Sequence, residues 1–268
     1  MSKTWKFIYI MEFLVAVVVW MAVFGTDEKF HLVTCDVGQG DAILAVYQNT
    51  QILIDGGPDR SVLDCLGRHM PFWDRTLELV ILTHPEKDHY GGLPEVLKRY
   101  QVDNFMLNDV LISSPDYQAL LSLVGGSRSK VVRPLKGQMV RLGLMSLDIL
   151  NPDDNPKKEL NLYSIVAELH FGSFLALLTG DSQNFIFGEN HHVQYIKVPH
   201  HGSKNGLSAL LLNETKPDLA VISVGKNSYG HPHEEILQML KNAGIKILRT
   251  DQMGDVEVVS DGKSWKVR

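Results

Sequence analysis

Apolar positions fall into one long unbroken block and, after it, many short ones. The block, Phe7–Gly25 (FIYIMEFLVAVVVWMAVFG), carries one charge, Glu12, and has no polar face of helical period. A run of about 20 apolar residues matches the hydrocarbon thickness of a bilayer. Lys3 and Lys6 lie before it, Asp27 and Glu28 after it, which favours an N-terminus inside and the remainder outside. The run exceeds the about 7–15 residues of a signal-peptide core. An uncleaved anchor within residues 1–28 is therefore expected in preference to a cleaved signal, for which Val23 and Gly25 would supply small residues near a cut. In both readings residues 29–268 form an exported domain.

From Lys29 onward short β-type runs alternate with helical patterns. Strands are expected at 30–36, 42–48 and 51–55, the last two joined through Asn49-Thr50 as a tight hairpin. A helix at 61–69, a strand at 77–82 and a helix at 92–100 come next, then a strand at 102–107 and a helix at 116–124 closed by Gly125-Gly126. Residues 131–150 read as two or three strands. The polar, proline-broken NPDDNPKK (151–158) divides two halves of the domain. The second half repeats the theme, with strands at 163–171, 174–179, 195–198, 219–224, 246–248, 256–259 and 265–267 and helices at 207–213 and 233–243. This order predicts an α/β fold of two mixed sheets with helices outside them.

Composition adds three constraints. Hydrophobic residues make up 44% of the 268, enough for a sizeable core. The net charge of −5 argues against a broad nucleic-acid-binding face, which needs a basic surface. Two cysteines, Cys35 and Cys65, make neither a disulfide scaffold nor a cysteine metal cluster and are expected to be buried free thiols. A metal site would have to be built from histidines and carboxylates.

Such residues collect just past strand ends. Strand 77–82 runs into His84, Glu86, Asp88 and His89; strand 174–179 into Gly180-Asp181; strand 195–198 into Pro199-His200-His201-Gly202; and a loop after strand 219–224 ends in Tyr229-Gly230-His231-Pro232. The carboxyl ends of strands are where open α/β sheets place ligands. If residues 84–88 are extended, alternate side chains of His84, Glu86 and Asp88 face one point, with His89 at the start of the turn. Neighbouring glycines allow close backbone approach. A second histidine pair, His191-His192, sits in a polar stretch and is expected to be surface decoration. Lys197, Lys204 and Lys226 lie close in sequence to these motifs and would form a local basic rim.

These motifs carry a resemblance. HPEKDH followed by Gly-Gly resembles the metal motif of the metallo-β-lactamase superfamily, usually H-x-H-x-D-H. DVGQGDA (36–42), LIDGG (53–57), THPEKDHYGG (83–92), LTGD (178–181), VPHHGS (198–203) and YGHP (229–232) are similar, in order, to the extracytoplasmic hydrolase domain of the ComEC DNA-uptake (competence) proteins. The resemblance covers about residues 30–268 and implies a four-layer αβ/βα sandwich with two divalent metals, Zn²⁺ or Mn²⁺, at one edge. By it, His84 and Glu86 would hold the first metal, Asp88 and His89 the second. Asp181 would bridge, and a histidine of HHGS would complete the set, with His201 taken as ligand and His200 as catalytic support. His231 would sit beside the substrate's charged group. Two departures stand out. Glu86 replaces the second histidine of the common motif, and Asn161 stands roughly where a third-motif histidine is usual.

The resulting expectation is a membrane-anchored, extracytoplasmic metallo-hydrolase that cleaves a phosphodiester, foremost DNA, with Asp88, Asp181, His200 and His231 as catalytic groups and a DNA-uptake channel as partner. The same residues also admit hydrolysis of another exported ester, a phosphocholine or lactone, or a non-catalytic domain that binds nucleic acid.

Overall fold

The computed structural model describes residues 3–24, 27–110, 112–153, 159–183 and 191–268, side chains of 3–4 and 21–24 excepted. The apolar block forms α1 (Lys3–Phe24), its side chains exposed along most of the described length. Among the described residues no helix is long and apolar enough to cross a membrane. The stretch read as an anchor extends past residue 20 into side chains outside the described set.

The first half of the chain runs β1 (Phe30–Thr34), β2 (Ile43–Tyr47), β3 (Thr50–Ile54), α2 (Val62–His69), β4 (Thr76–Leu82), α3 (Lys87–Tyr90), α4 (Leu93–Arg99), β5 (Gln101–Leu107), α5 (Pro115–Gly126) and β6 (Lys130–Val132). The second runs β7 (Met139–Leu142), β8 (Met145–Asn151), β9 (Val166–Phe171), β10 (Phe174–Leu178), β11 (Tyr195–Lys197), α6 (Ala209–Thr215), β12 (Leu219–Ile222), α7 (Glu234–Asn242), β13 (Lys246–Arg249), α8 (Thr250–Met253), β14 (Val256–Ser260) and β15 (Trp265–Val267). The stretch 151–158, read as the divide, instead follows two strands of the second sheet, and its residues 154–158 lie outside the described set. The β2–β3 turn sits at Gln48-Asn49, one residue earlier than its sequence suggested, with Gln48 in the left-handed region at φ 54°.

Two sheets result, ordered β15-β14-β1-β2-β3-β4-β5-β6 and β13-β12-β11-β10-β9-β8-β7. Both are mixed: β3 to β6 are parallel in the first, β10 to β13 in the second. The inner faces interdigitate, with Phe30, Leu32, Ile52 and Leu79 of one sheet against Leu147, Leu169, Phe174 and Val221 of the other. The outer face of the first sheet buries Leu44, Leu53 and Val80 against Leu66, Val96 and Leu120 of its helices. The outer face of the second buries Leu177, Ile196 and Ala220 against Leu211, Ile236 and Leu240. The layers are therefore helix, sheet, sheet, helix, as the order of elements predicted. Thr34 and Tyr195 share a buried hydrogen bond of 2.6 Å that links the two sheets.

The cysteines overturn their sequence reading: Cys35 and Cys65 form a disulfide. Cys35 lies just past β1 and Cys65 on the inward face of α2, which brings their Cα atoms to 5.8 Å, within bridging range. Thirty residues separate them in sequence, so only the folded layers bring the pair together.

Candidate metal centre

The strand ends of both sheets meet at one edge. β4 ends buried, and Thr83 pins the loop beyond it: its N–H and hydroxyl donate to Asp55 Oδ1 and Oδ2 at 2.8 and 2.7 Å. The chain does not stay extended through the HPEKDH motif. It turns into α3 at Lys87, so Asp88 and His89 leave from a helical turn. This turn packs tightly on the loop after β3. A Cβ at Gly92 would lie 2.2 Å from the carbonyl oxygens of both Gly56 and Asp59, so only glycine fits.

Three imidazoles aim one nitrogen at the same carboxylate. His84, His89 and His201 place Nε2 at 4.0, 3.4 and 3.6 Å from Asp181 Oδ2. Each Nδ1 is taken by another group. For His89 it is Asp55 Oδ2 at 2.8 Å, for His201 the Ser223 carbonyl at 2.9 Å, and for His84 the Thr83 hydroxyl at 3.1 Å. Such outer partners fix ring orientation and leave Nε2 as the ligating atom. All three Nε2 atoms, with Asp181 Oδ1 and Asp41 Oδ1, are buried without a hydrogen bond. Buried polar atoms are normally paired; the three Nε2 orphans around Asp181 Oδ2 fit a shared cation, while the two carboxylate oxygens face Lys197 and His201 Nδ1. The described residues contain the ligand-competent groups His84/His89/Asp181 and Asp88/His89/His201. A donor set of imidazole nitrogens and carboxylate oxygens suits a divalent transition metal.

The remaining sequence-derived candidates lie at the rim of this point. Asp88 Oδ2 is 3.4 Å from His201 Nε2, and Glu86 Oε2 is 4.0 Å from His84 Nε2. His200 and His201 both adopt left-handed backbone, φ 50° and 53°, which sends successive side chains to different surroundings. His201 is buried. His200 is partly exposed, with Nε2 3.7 Å from Asp181 Oδ2 and Nδ1 3.1 and 3.4 Å from the side-chain amides of Gln183 and Asn161. Asn161 thus stands beside the centre. His231 packs its ring 5.5 Å from that of His200, on a loop whose Asn227 side chain binds the N–H and carbonyl of His231 at 3.0 and 2.9 Å. Glu86, Asp88, His200, His201 and His231 line an open cleft of about 510 Å³ with Gln39, Lys87, Lys226 and Tyr229.

Three functional neighbours escaped the sequence reading. Asp55 orients His89. Asp41, within the DVGQGDA motif but given no role there, is buried and ion-paired with Lys197, and its Oδ1 lies 3.4 Å from His201 Nδ1. Lys197 is a correction: it is fully buried beneath the centre rather than on a basic rim, donating to the Gly180 carbonyl and lying 3.6 Å from Asp181 Oδ1. All three residues of β11 are buried, so Lys197 lies in the sheet interior, which its residue type did not signal. Of the other two lysines, Lys204 is exposed against Glu235 and Lys226 lines the cleft.

Electrostatics show how strongly the centre demands positive charge. Burial alone would push Asp181 up, but His201, His89 and Lys197 outweigh it and hold the carboxyl well below its usual range. Burial opposes charge on His201 as well, yet Asp181, Asp41 and Asp88 raise it to about 9. His89 is raised for the same kind of reason, by Asp181 and Asp55. His84, pushed down by burial and then by His89, falls to about 3, and His231, pushed down by burial and then by His200, to about 4. Without a metal, protons on His89 and His201 stand in for the cation; a bound ion must displace them.

The family model described as metallo-beta-lactamase superfamily matches residues 35–226. The chain belongs to that superfamily. This metallo-β-lactamase-fold chain is 29% identical over 247 residues to ComE operon protein 3 of Bacillus subtilis, covering 83% of this chain and 32% of the relative. It is 29% identical over 234 residues to Recombination protein 2 of Haemophilus influenzae, covering 84% and 28%. The chain thus spans about a third of the length of the curated relatives it matches. Its resemblance to the competence branch, read from the motif set, holds in these relatives. The crystal structure of the metallo-β-lactamase fold protein YhfI from Bacillus subtilis superposes with a TM-score of 0.60 at 16% identity, covering 85% of this chain and 99% of that one, and shows the same fold.

Proposed function

We propose that the chain is a two-metal phosphodiesterase that cleaves DNA on the outer side of a membrane. The observation that carries the reading is the convergence of three Nδ1-anchored imidazoles on Asp181 Oδ2, with Asp88 at 3.4 Å from His201 Nε2. His84, Glu86 and Asp181 would hold one ion and Asp88, His89, His201 and Asp181 the other, with Zn²⁺ first and Mn²⁺ second for this donor set. When bound, the ions supply Lewis acidity, acidifying water and neutralising phosphoryl oxygens.

The chain's own groups do the rest. Lys197 engages Asp181 Oδ1 and leaves Oδ2 for the histidines. His201, whose Nδ1 faces the Ser223 carbonyl, is the ligand of the HHGS pair. His200, whose Nδ1 faces two side-chain amides, carries its proton on Nε2, where it donates toward an anionic substrate oxygen. His231, held neutral at physiological pH by burial and by His200, supplies a proton acceptor at the mouth of the cleft. Asp88 orients the attacking water.

DNA as substrate is supported by the relative named Recombination protein 2 and by the resemblance to the competence branch. The outer side of the membrane is supported by the charge pattern around α1 and by the Cys35–Cys65 disulfide, a bond of oxidising compartments. A channel that delivers the strand is the partner this reading requires.

The test measures metal content of the 268-residue chain in detergent, then turnover of single- and double-stranded DNA and of bis(p-nitrophenyl) phosphate with added Mn²⁺ or Zn²⁺. Metal-dependent cleavage lost in Asp181→Ala is expected. Bound metal without turnover on any substrate would leave the non-catalytic binding domain as the better reading, and turnover that survives Asp181→Ala refutes the site.

A further inference from the structure

Away from the catalytic edge, the outer face of the second sheet holds an unusual arrangement. β8 and β9 pair antiparallel with Asp148 directly opposite Glu168. Like charges directly opposed across strands destabilise a sheet unless a cation lies between them. Glu168 occupies an apolar face: its cross-strand neighbour on β10 is Leu177, and Val166, two residues before it, belongs to the apolar layer beneath the helices. Its residue is only 4% exposed.

Two histidines, not two lysines, approach this pair. His170 Nε2 lies 3.3 Å from Glu168 Oε2 and 3.1 Å from Asp148 Oδ2. His191 Nε2 lies 2.7 Å from Glu168 Oε1. His191 is held there by its backbone N–H, which donates to the Glu214 carbonyl in the last turn of α6 at 2.7 Å. The contacts are short but misaligned: buried Glu168 Oε1 and His170 Nε2 make no hydrogen bond. The same signature, close imidazole and carboxylate atoms aimed past one another, marks the catalytic centre. Ser164, which accepts from the Asp181 N–H, precedes β9, four residues or about 13 Å of extended chain from Glu168, so the two clusters are separate sites.

We propose that Glu168, His170 and His191, with Asp148 at the rim, bind a second-site divalent transition metal, Zn²⁺ or Ni²⁺ in class. Two imidazoles with a buried carboxylate favour these ions over Mg²⁺ or Ca²⁺. The ion neutralises the opposed Asp148 and Glu168. It also ties β8 and β9 to the segment that leads into β11, the strand carrying Lys197. This inference does not rest on the proposed nuclease activity.

The test uses the 268-residue chain with Asp181→Ala and His201→Ala disabling the catalytic centre. Titration with Zn²⁺ alone or Ni²⁺ alone, read by calorimetry, should show one saturable site. Zn²⁺ at about 100 times its Kd should raise the Tm by about 5–10 °C. Adding His170→Ala, His191→Ala or Glu168→Gln should abolish both effects, while the Tm in chelator shows which variants still fold; the folded ones carry the comparison. Co²⁺ should give visible absorption that depends on His170 and His191. A background that binds no ion, or binds it equally with and without His170 and Glu168, overturns the proposal.

Discussion

Replacing Lys197 by methionine keeps an unbranched apolar stem one atom shorter and removes the ammonium buried at the candidate metal centre. Lys197 is paired with Asp41, donates to the Gly180 carbonyl and lies 3.6 Å from Asp181 Oδ1. Burial pushes its pKa down, but Asp41 and Asp181 outweigh that and hold it above the ordinary amine value, so the group is charged at every working pH. Lys197→Met therefore leaves Asp41 buried with a reduced counter-charge. Breaking a buried pair by removing one partner costs about 3–5 kcal/mol. Two unit charges about 4 Å apart at an effective dielectric of 20 interact by ~4 kcal/mol, the same size. The assay is urea unfolding in chelator, so that no bound ion masks the deficit, on the parent, Lys197→Met, Asp41→Asn and the double variant. Lys197→Met should lose about 3–5 kcal/mol, and the cycle should show a coupling of about 2 kcal/mol or more, because the double variant buries no unpaired charge. A single variant within about 1 kcal/mol of the parent, or additivity within about 0.5 kcal/mol, would refute the reasoning.

Three further outcomes are expected. Replacing Cys35 and Cys65 together by serine opens a loop spanning 30 residues and should cost about 3–4 kcal/mol in chain entropy, measured by denaturant unfolding; a loss under about 1 kcal/mol would contradict it. Burial pushes Asp255 up, but hydrogen bonds from His69, the Asp36 N–H and Arg68 hold it at about 2. Its stabilisation is therefore full above the unfolded carboxylate value near 4 and fades as the pH falls toward 2. After allowance for its partial solvent contact, Asp255→Asn should lose about 1–2 kcal/mol at pH 7 and flatten that part of the stability profile. Gly92→Ala drives a methyl into two carbonyl oxygens at 2.2 Å and should cost about 3 kcal/mol, read as a fall in Tm together with weaker metal binding.

Much of the fold was legible because each half of the chain alternates strand and helix patterns at short range. The histidines and Asp181 of the candidate centre were legible as a cluster because they come just after strand ends, beside glycines. What escaped had physical reasons. Lys197 reads as a surface lysine by type, and only the burial of all three β11 residues on a sheet interior reveals its role. Asp41 and Asp55 lie beside glycines that look like turn chemistry, yet both are buried through contacts with residues far along the chain, His89, Lys197 and His201. The disulfide depends on α2 packing over the end of β1, a tertiary fact that two cysteines 30 apart do not announce. His191, read as decoration, is placed against Glu168 by a backbone bond to α6.

The strand β14 has a consequence in time rather than in space. It pairs with β1 along its whole length, Phe30 opposite Ser260 and Thr34 opposite Val256. During synthesis or export, β1 emerges early and its edge partner more than two hundred residues later, so the apolar edge FHLVT waits unpaired for nearly the whole transit of the domain. Contacts of such long sequence separation close slowly, and an open apolar edge is a template for intermolecular pairing until they do. Yield in the cell should then depend on how quickly residues 256–260 reach β1, with a chaperone that shields the edge acting before the last strand arrives.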